Sequence, residues 1–255
     1  MDFWEGIDIS QFNGKVDFAK VKNAGKSFVM VRAGWCGYDG SIRPDSLFDA
    51  NMKGAQAAGL DTGVYLYNYT KTVDAAQTAA DNLLKMIAPY RVSYPVAFDM
   101  EDSSLQPLGK ELLTEIAQGF LKRIEDARFY ASLYTSPSWM QGFLLPDRLT
   151  QFDWWIADWR QDVQAQSQWG IWQYLGDRGR VDGVRGPCDL DRSFKDYPAI
   201  FTQYGLNGFS SETTPTPNPV DSLQEQLEQL RQEVFQWKNQ YERLETGLRA
   251  LLQDS

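Results

Sequence analysis

Histidine is absent from this sequence of 255 residues. Its absence excludes Ser-His-Asp and Cys-His nucleophilic systems and most zinc sites, because each of these depends on an imidazole. Acid–base chemistry near neutral pH is then left to carboxylates, tyrosine, lysine or cysteine. We therefore expect any catalysis by this chain to rest on carboxylates, with neither a metal nor a cofactor.

Cysteine is nearly as scarce, with Cys36 and Cys188 as its two copies. Two cysteines make no disulfide framework, and in a protein made in the cytosol such thiols are more often free than paired. No stretch approaches the roughly 18 apolar residues of a membrane-spanning helix. The first ten residues, MDFWEGIDIS, lack the basic stretch and the apolar segment of a secretory signal. These absences predict a protein made in the cytoplasm and not attached to a membrane.

Basic residues are outnumbered, with 25 lysines and arginines against 34 aspartates and glutamates. The net charge of −9 argues against nucleic acid as a partner, because affinity for phosphates comes mainly from lysine and arginine. Aromatic residues, in contrast, are abundant, with nine tryptophans and twelve tyrosines. They suit core packing or sugar-stacking platforms in a groove, and one protein can use them for both.

Residues 1–204 alternate between short apolar runs and amphipathic stretches. Eight runs rich in β-branched and aromatic residues predict strands: Gly6–Ser10, Phe28–Ala33, Thr62–Asn68, Pro95–Glu101, Phe129–Tyr134, Trp154–Asp158, Gly170–Tyr174 and Pro187–Leu190. Four stretches with helical spacing of apolar residues predict helices: Asp17–Ala24, Asp45–Ala58, Thr72–Ile87 and Lys110–Ala127.

The order of these elements predicts an α/β fold. Alternation of strand and helix indicates a parallel sheet, and Gly25 and Gly59 stand where helix C-terminal caps are expected. After about residue 129 the helices shorten and the strands follow one another closely. Eight strands with an incomplete set of helices predict an irregular TIM-like barrel over residues 1–204.

Two further segments follow the predicted barrel. Residues 205–219, GLNGFSSETTPTPNP, are polar and rich in proline and threonine, as in a semi-extended linker. Over residues 220–255 apolar residues recur at alternating intervals of three and four, which indicates a heptad repeat. A single amphipathic helix lying on the barrel would share this pattern, but the strict period favours a coiled coil and hence a homo-oligomer. The apolar positions are Val220, Leu223, Leu227, Leu230, Val234, Trp237, Tyr241, Leu244, Leu248 and Leu251.

The segment Tyr94–Asp102, YPVAFDMED, carries the most informative pair of acidic residues. On a strand, Asp99 and Glu101 are two positions apart, so their side chains leave the same face. At the C-terminal end of a barrel strand they point into the mouth, where active sites of this architecture lie. A neighbouring negative charge and partial burial raise a carboxyl pKa, which makes Glu101 a candidate general acid. A solvated acidic turn has the same composition, so the pair alone is a weak signal.

Two other aspartates reinforce the pair. Asp8 lies between Ile7 and Ile9 on the first predicted strand, where a carboxylate needs a lumen-facing position or a partner. Asp189 lies on the last predicted strand, which pairs with the first when a barrel closes. We therefore expect Asp8 and Asp189 to be neighbours, although Asp191, two positions on, competes with Asp189 for this place.

Other polar and aromatic residues end predicted strands. Arg32 ends the second strand, where it can bind a substrate carboxylate or form a structural salt bridge to Asp8 or Asp99. Asp158 and Trp159 end the sixth strand. A tryptophan at that point can stack on a sugar or pack in the core.

Five sequence blocks occur in order between Gly6 and Phe194: GIDIS, AAGLDTGVYLYNY, PVAFDME, DWWIADW and WGIWQYLGDRGRVDGVRGPCDLDRSF. Together they resemble glycoside hydrolase family 25, the Chalaropsis-type lysozymes that are common among bacterial and bacteriophage lysins. The resemblance implies a flattened barrel of the (β/α)5(β)3 type. It also implies hydrolysis of the β-1,4 bond between N-acetylmuramic acid and N-acetylglucosamine in bacterial peptidoglycan.

The resemblance further implies residue roles. Glu101 would be the general acid, and Asp99 would orient the substrate acetamido group or stabilise developing positive charge. Asp8 and Asp189 would line the same pocket. Tyr65 and Tyr67 match the family's aromatic strand, and Gln173 matches its Trp-x-x-Gln-Tyr-like run. With Arg32, Asp158 and Trp159 they complete the set of candidate substrate-binding residues.

Two positions depart from the family pattern: Leu66 stands where histidine is frequent, and Asp191 where asparagine is frequent. Neither departure removes a carboxylate of the core set. We therefore predict a muramidase, a phage or prophage lysin that reaches the wall after holin-type release or lysis. The alternative is a non-catalytic wall-binding module presented as a coiled-coil oligomer, against which the presence of Asp8, Asp99 and Glu101 speaks.

Overall fold

The computed structural model describes residues 3–160 and 169–211. They belong to one compact unit, Met1–Ser211. The predicted heptad segment, and residues 212–219 of the predicted linker, lie outside the described residues. The strands are β1 (Trp4–Ile9), β2 (Phe28–Cys36), β3 (Ile42–Pro44), β4 (Asp61–Asn68), β5 (Val96–Asp99), β6 (Ala131–Thr135), β7 (Asp153–Ala157), β8 (Ile171–Leu175) and β9 (Asp189–Ser193). The helices are α1 (Phe18–Asn23), α2 (Phe48–Ala57), α3 (Val73–Ile87), α4 (Gly109–Asp126), α5 (Pro137–Phe143) and α6 (Tyr197–Tyr204).

Eight of these strands close into a barrel. Their order is β1-β9-β8-β7-β6-β5-β4-β2, and β2 pairs with β1 to complete the ring. Each predicted strand has its counterpart, and the four predicted helices lie close to their expected bounds. Gly25 and Gly59 follow α1 and α2 with φ of 85° and 74°, which confirms them as helix ends.

The parallel arrangement predicted from the alternation of strands and helices does not extend to the last strand. β9 runs antiparallel to both of its neighbours, β8 and β1. Residues 176–188, which connect β8 to β9, contain no helix to return the chain to the far end of the barrel. A parallel strand needs such a crossover, whereas an antiparallel one can start where its predecessor ended. β9 therefore starts at the mouth, at the end of the barrel where β1 and β8 finish.

Three short elements were not predicted. β3 forms a hairpin with the end of β2, and α5 and α6 follow β6 and β9. The side chains of Tyr197 and Phe201 in α6 are fully buried among the aromatic residues of the barrel lumen. Asn207 extends this packing, because its amide donates to the Val92 carbonyl at 3.0 Å and accepts from the Tyr130 backbone N–H at 2.7 Å. The first residues of the predicted linker thus pack against the barrel.

The barrel separates two apolar cores. The outer core lies between the strands and the helices, with α2 and α4 packed against β2, β4, β5 and β6. The inner core fills the lumen with large aromatic side chains, including Tyr65, Tyr134 and Trp155. On β8 and β9 buried residues alternate with half-exposed ones. On the outer face of these two strands, the guanidinium carbon of Arg192 lies 4.4 Å from the centre of the Tyr174 ring.

Candidate active site

The predicted acidic residues meet at the mouth of the barrel. Asp8 lies near the end of β1, and its Cα is paired with that of Asp189 at the start of β9. The expected proximity of these two residues is confirmed, because the closing strand pairs with the first. Asp99 is the last residue of β5.

Glu101 lies just beyond β5, which ends two residues earlier than predicted. The chain still follows β6 here, since the Met100 N–H donates to the Tyr134 carbonyl at 3.0 Å and the Thr135 hydroxyl donates to the Met100 carbonyl at 2.7 Å. Met100 is buried in the outer core, so Asp99 and Glu101 lie on the opposite, lumen side. The predicted shared face of this pair is thereby retained.

The two members of this pair differ in exposure. Asp99 is 3% exposed, and its Oδ1 has no hydrogen-bond partner among the described residues. Burial, followed by the charge of Glu101, raises the pKa of Asp99 well above its usual range, and Arg32 opposes this. Glu101 is exposed at the rim, yet desolvation by the surrounding protein, followed by the charges of Asp189 and Asp102, raises its pKa as well. Because both values are raised, the pair holds a proton at a pH where an ordinary carboxyl is ionised.

Gln173 joins Asp8 to the aromatic residues of the site. Its Nε2 donates to Asp8 Oδ2 at 2.7 Å. Its Oε1 accepts from the Tyr134 hydroxyl at 3.2 Å and from Trp159 Nε1 at 3.0 Å. Gln173 is buried on β8, so it fixes the orientation of the Asp8 carboxyl from below the rim.

Asp189 and Asp191 both belong to the cluster, at different depths. Asp189 is half-buried at the mouth, and burial, followed by the charge of Asp177, raises its pKa to about 6. Asp191 is fully buried one layer deeper, where its Oδ1 accepts from Trp155 Nε1 at 2.8 Å. The ambiguity between them in the sequence is resolved by the direction of β9, which brings Asp189 to the rim.

Arg32 forms its ion pair with a residue that the sequence did not indicate. Its guanidinium contacts the Asp45 carboxylate through Nε and one Nη, each at 2.9 Å. The predicted alternative, a salt bridge to Asp8 or Asp99, is wrong, because the β3 hairpin brings Asp45 closer. The guanidinium also lies over the ring of Phe12 at 4.8 Å, and Phe12 is 80% exposed.

The two tyrosines of β4 have different surroundings. Tyr65 is buried edge-on to Trp155, with ring centroids 5.5 Å apart. The Tyr67 hydroxyl donates to Asp102 Oδ2 at 3.1 Å. Burial, followed by the charges of Asp99 and Asp102, raises the pKa of Tyr67, so its hydroxyl stays protonated and can donate a hydrogen bond.

Of the two residues predicted to bind substrate after β7, one faces solvent at the site. Trp159 is 51% exposed and anchored through its indole N–H to Gln173, which suits a stacking platform. Asp158 is buried and accepts from Arg160 Nε at 2.8 Å, which lowers its pKa. Asp158 therefore supports the turn that carries Trp159 and is not brought into the carboxyl cluster.

Sequence reasoning missed several residues of the site. Three of them form hydrogen bonds with predicted residues and had no sequence signal of their own: Tyr134, Asp45 and Asp102.

Over residues 3–160 and 169–211, no group of acidic or cysteine side chains is arranged to hold a metal ion. Cys36 and Cys188 are both free and buried. None of the described helices has the length and apolar character to cross a bilayer.

Known proteins resemble this chain over the barrel. Lysozyme M1 of Streptomyces globisporus is 27% identical over 204 residues, which cover 74% of this chain and 66% of that protein. Protein YegX of Escherichia coli K12, which is uncharacterised, is 26% identical over 193 residues, or 73% of this chain and 68% of YegX. The chain thus spans about two thirds of the length of these relatives.

A solved structure and a family model also match this chain. The crystal structure of the CTP1L endolysin shares the fold with a TM-score of 0.66 and 24% identity, covering 79% of this chain and 70% of that one. The model of glycosyl hydrolases family 25 matches residues 7–184, which include Asp8, Asp99 and Glu101, whereas Asp189 and Asp191 lie beyond the matched range. Since this match extends over more than half of the chain, the protein belongs to glycosyl hydrolase family 25.

Proposed function

We propose that the protein is an N-acetylmuramidase that hydrolyses the β-1,4 bond between N-acetylmuramic acid and N-acetylglucosamine in bacterial peptidoglycan. The observation that carries this proposal is the pair Asp99 and Glu101, one buried and one at the rim, both with raised pKa values. The family assignment and the likeness to Lysozyme M1 support the substrate class. The likeness to an endolysin supports a phage or prophage lysin.

In the proposed reaction Glu101 is the general acid. Its exposed carboxyl can reach a glycosidic oxygen, and its raised pKa keeps the proton that this oxygen must receive as the C1–O bond breaks. Asp99 holds the N–H of the substrate 2-acetamido group, whose carbonyl oxygen attacks C1 in place of an enzyme nucleophile. This attack forms an oxazolinium ring on the sugar. Water then attacks C1 and opens that ring, and Glu101 takes the proton that the water loses.

The proposed groove for the glycan is built from residues around this pair. Trp159 supplies an exposed face for stacking, and Tyr67 supplies a hydroxyl beside Asp99. Arg32, held by Asp45, is proposed to meet the lactyl or peptide carboxylates of muramic acid. Tyr65, Gln173, Asp8 and Asp189 shape the floor and one wall.

The competing function is a non-catalytic module that binds the wall without cleaving it. Binding alone gives no reason to place several carboxyls together under partial burial, because each is costly to desolvate. Asp99 has a buried oxygen that finds no partner within residues 3–160 and 169–211, which is more readily explained by a substrate group that completes the site.

The deciding experiment is turbidity clearing of purified cell walls by the wild type and by Glu101→Gln. We expect Glu101→Gln to clear about 10²–10⁴-fold more slowly, the usual contribution of a general acid. Glu111→Gln, on the exposed side of α4, is the matched control and should clear like the wild type. Absence of clearing by the wild type would refute the enzyme, and new N-acetylglucosamine reducing ends in place of muramic acid ends would refute the bond assignment.

We also propose that the heptad segment 220–255 makes the protein a homo-oligomer, which would raise avidity for the wall without new contacts. Light scattering on the full chain and on a chain ending at Ser211 tests this, and a monomer in both cases would refute it.

Delivery to the wall is proposed to follow holin-type release. Expression in a susceptible host should then cause lysis when a membrane pore is co-expressed, and lysis without the pore would contradict it.

A further inference from the structure

A groove on the outside of the barrel lies beside the mouth and shares one residue, Trp159, with the candidate active site. Its volume is about 640 Å³, which is within the range of pockets that hold small ligands. It is formed at the ends of β7 and β8 and by the turns that follow them. The described residues that line it include three aromatic and three charged side chains: Trp159, Trp172, Tyr174, Arg160, Asp177 and Arg178.

Two aromatic side chains of β8 form the floor of this groove. Trp172 and Tyr174 leave the strand on its outer side, because Gln173 between them is buried in the lumen. Their ring centroids are 5.8 Å apart, and both rings are half-buried. Trp172 Nε1 donates to the Asp158 carbonyl at 2.8 Å, and the Tyr174 hydroxyl donates to Glu5 at 2.8 Å. The polar atom of each ring is thus satisfied within the protein, and the rings are held in place before any ligand binds.

Trp159 connects the groove to the mouth of the barrel. Its indole N–H donates to Gln173 at 3.0 Å, on the lumen side of β8. A Cβ on Gly176 would lie 2.3 Å from the Trp159 ring, so this ring lies directly against the backbone at the end of β8. The side chain is nevertheless 51% exposed. Trp159 therefore belongs both to the rim of the active site and to the wall of the groove.

The charged residues of the groove suit a ligand that carries carboxylates. Arg160 is held at one edge through Nε, which donates to buried Asp158 at 2.8 Å. Arg178 is exposed in the turn after β8, next to Asp177. Two guanidinium groups thus meet at one groove of a chain whose net charge is −9. Guanidinium groups bind carboxylates well, and aromatic faces suit the apolar faces of sugar rings.

We propose that this groove is a second binding site for peptidoglycan, which holds the part of the strand that extends beyond the cleaved bond. Trp172 and Tyr174 stack on its sugar rings, and Arg178 binds its lactyl or peptide carboxylates. The proposal rests on the proposed muramidase function, because the strand continues from the mouth over Trp159. A site of this kind touches no reacting atom, so it acts on affinity for long strands and not on the chemical step.

The first test is co-sedimentation of the full chain with purified cell walls. Glu101→Gln serves as the parent protein, so that the walls are not consumed. Trp172→Ala in this parent should bind about tenfold more weakly, the usual effect of losing one stacked aromatic ring. Trp172→Phe keeps an aromatic face without the N–H that Asp158 accepts, and it should retain most of the affinity. Tyr204→Ala removes a ring that is 58% exposed on α6, and it should bind like the parent.

Equal binding by Trp172→Ala and its parent would overturn the proposal. This measurement requires no cleavage, so its failure is distinct from a failure of the wild type to clear cell walls.

The second test uses Arg178→Gln, whose side chain is exposed and contributes nothing to the core. Co-sedimentation at low salt should weaken, and the difference from the parent should shrink as salt screens the charge. Binding at low salt that does not depend on Arg178 would overturn its contact with carboxylates.

Kinetics then separate the groove from the active site. With Glu101 in place, Trp172→Ala should raise KM for cell walls severalfold and leave kcat unchanged for a soluble tetrasaccharide of N-acetylglucosamine and N-acetylmuramic acid. An equal fall in the cleavage of both substrates would show that the variant acts on the active site, and would refute a second site.

Discussion

Asp45 offers the sharpest quantitative test of how the rim is held. Its side chain is fully buried and accepts from Arg32, whose own side chain is 12% exposed. It also accepts from the backbone N–H groups of Gln11 at 2.9 Å and Leu47 at 3.0 Å. One carboxylate thus ties β2, the loop after β1 and the start of α2.

Replacement by alanine leaves the Arg32 guanidinium without its counter-charge and the two N–H groups without their acceptor. Removal of one partner of a buried ion pair costs about 3–5 kcal/mol. For a domain of this size that is a fall in Tm of about 6–20 °C, at about 2–4 °C per kcal/mol. Asp45→Asn keeps one acceptor oxygen and should lose about 1.5–3 kcal/mol, the usual worth of a hydrogen bond to a charged group.

The assay is urea unfolding followed by tryptophan fluorescence. Asp126→Asn is the control, because Asp126 pairs with Lys122 on the exposed face of α4 with side-chain exposures of 50% and 72%. Exposed pairs of this kind contribute little, so its midpoint should match the wild type. A loss below about 1 kcal/mol for Asp45→Ala would refute the account of the buried pair.

Three further predictions concern the strands around the site. Gly34→Ala should lower Tm by several degrees, because its φ is 150° and a Cβ there would lie 2.1 Å from a backbone carbonyl oxygen of β3. Phe98→Ala should cost about 3–5 kcal/mol in urea unfolding, because its buried ring stacks on Phe120 at 3.9 Å. Asp189→Asn should shift the alkaline limb of the kcat profile to lower pH, because the charge of Asp189 helps to raise the pKa of Glu101 and a lower pKa releases the acid's proton earlier.

Each of the three has its own control. Gly142→Ala, where a Cβ meets nothing within 4 Å, should not lower Tm. Phe98→Leu should lose less than Phe98→Ala, and equal losses would show that ring packing is not the cause. An alkaline limb that Asp189→Asn leaves in place would show that Asp189 does not act on Glu101.

The closure of the barrel explains why part of the site could be predicted. In a closed barrel the last strand must pair with the first, so Asp8 and Asp189 could be placed together from their strands alone. Period-two alternation similarly placed Asp99 and Glu101 on one face. These inferences depend on the order of the strands and on side-chain alternation, both of which can be read from the sequence.

The depth of a residue in the lumen could not be predicted in this way. Asp189 and Asp191 share a face, and the direction of β9 decides which of them reaches the rim. The antiparallel direction comes from the helix-free connection of residues 176–188, not from any feature of β9 itself. The partner of Arg32 was missed because β3, which has three residues, is too short to show a periodic pattern.

The outer faces of β8 and β9 are half-exposed, so the strands of the barrel are not equally covered on their outer side. β4 and β5 lie between a filled lumen and a helix layer, whereas β8 and β9 have the lumen on one side and a layer of side chains such as Tyr174 and Arg192 on the other. Backbone amides are protected from hydrogen exchange by the free energy of the smallest opening that exposes them. Exchange should therefore be fastest along these two strands, and Gln173 and Asp191 lie on them. The hydrogen bonds that Gln173 and Asp191 make in the lumen thus depend on the part of the wall that opens most readily. The proposed function predicts that glycan binding slows exchange there.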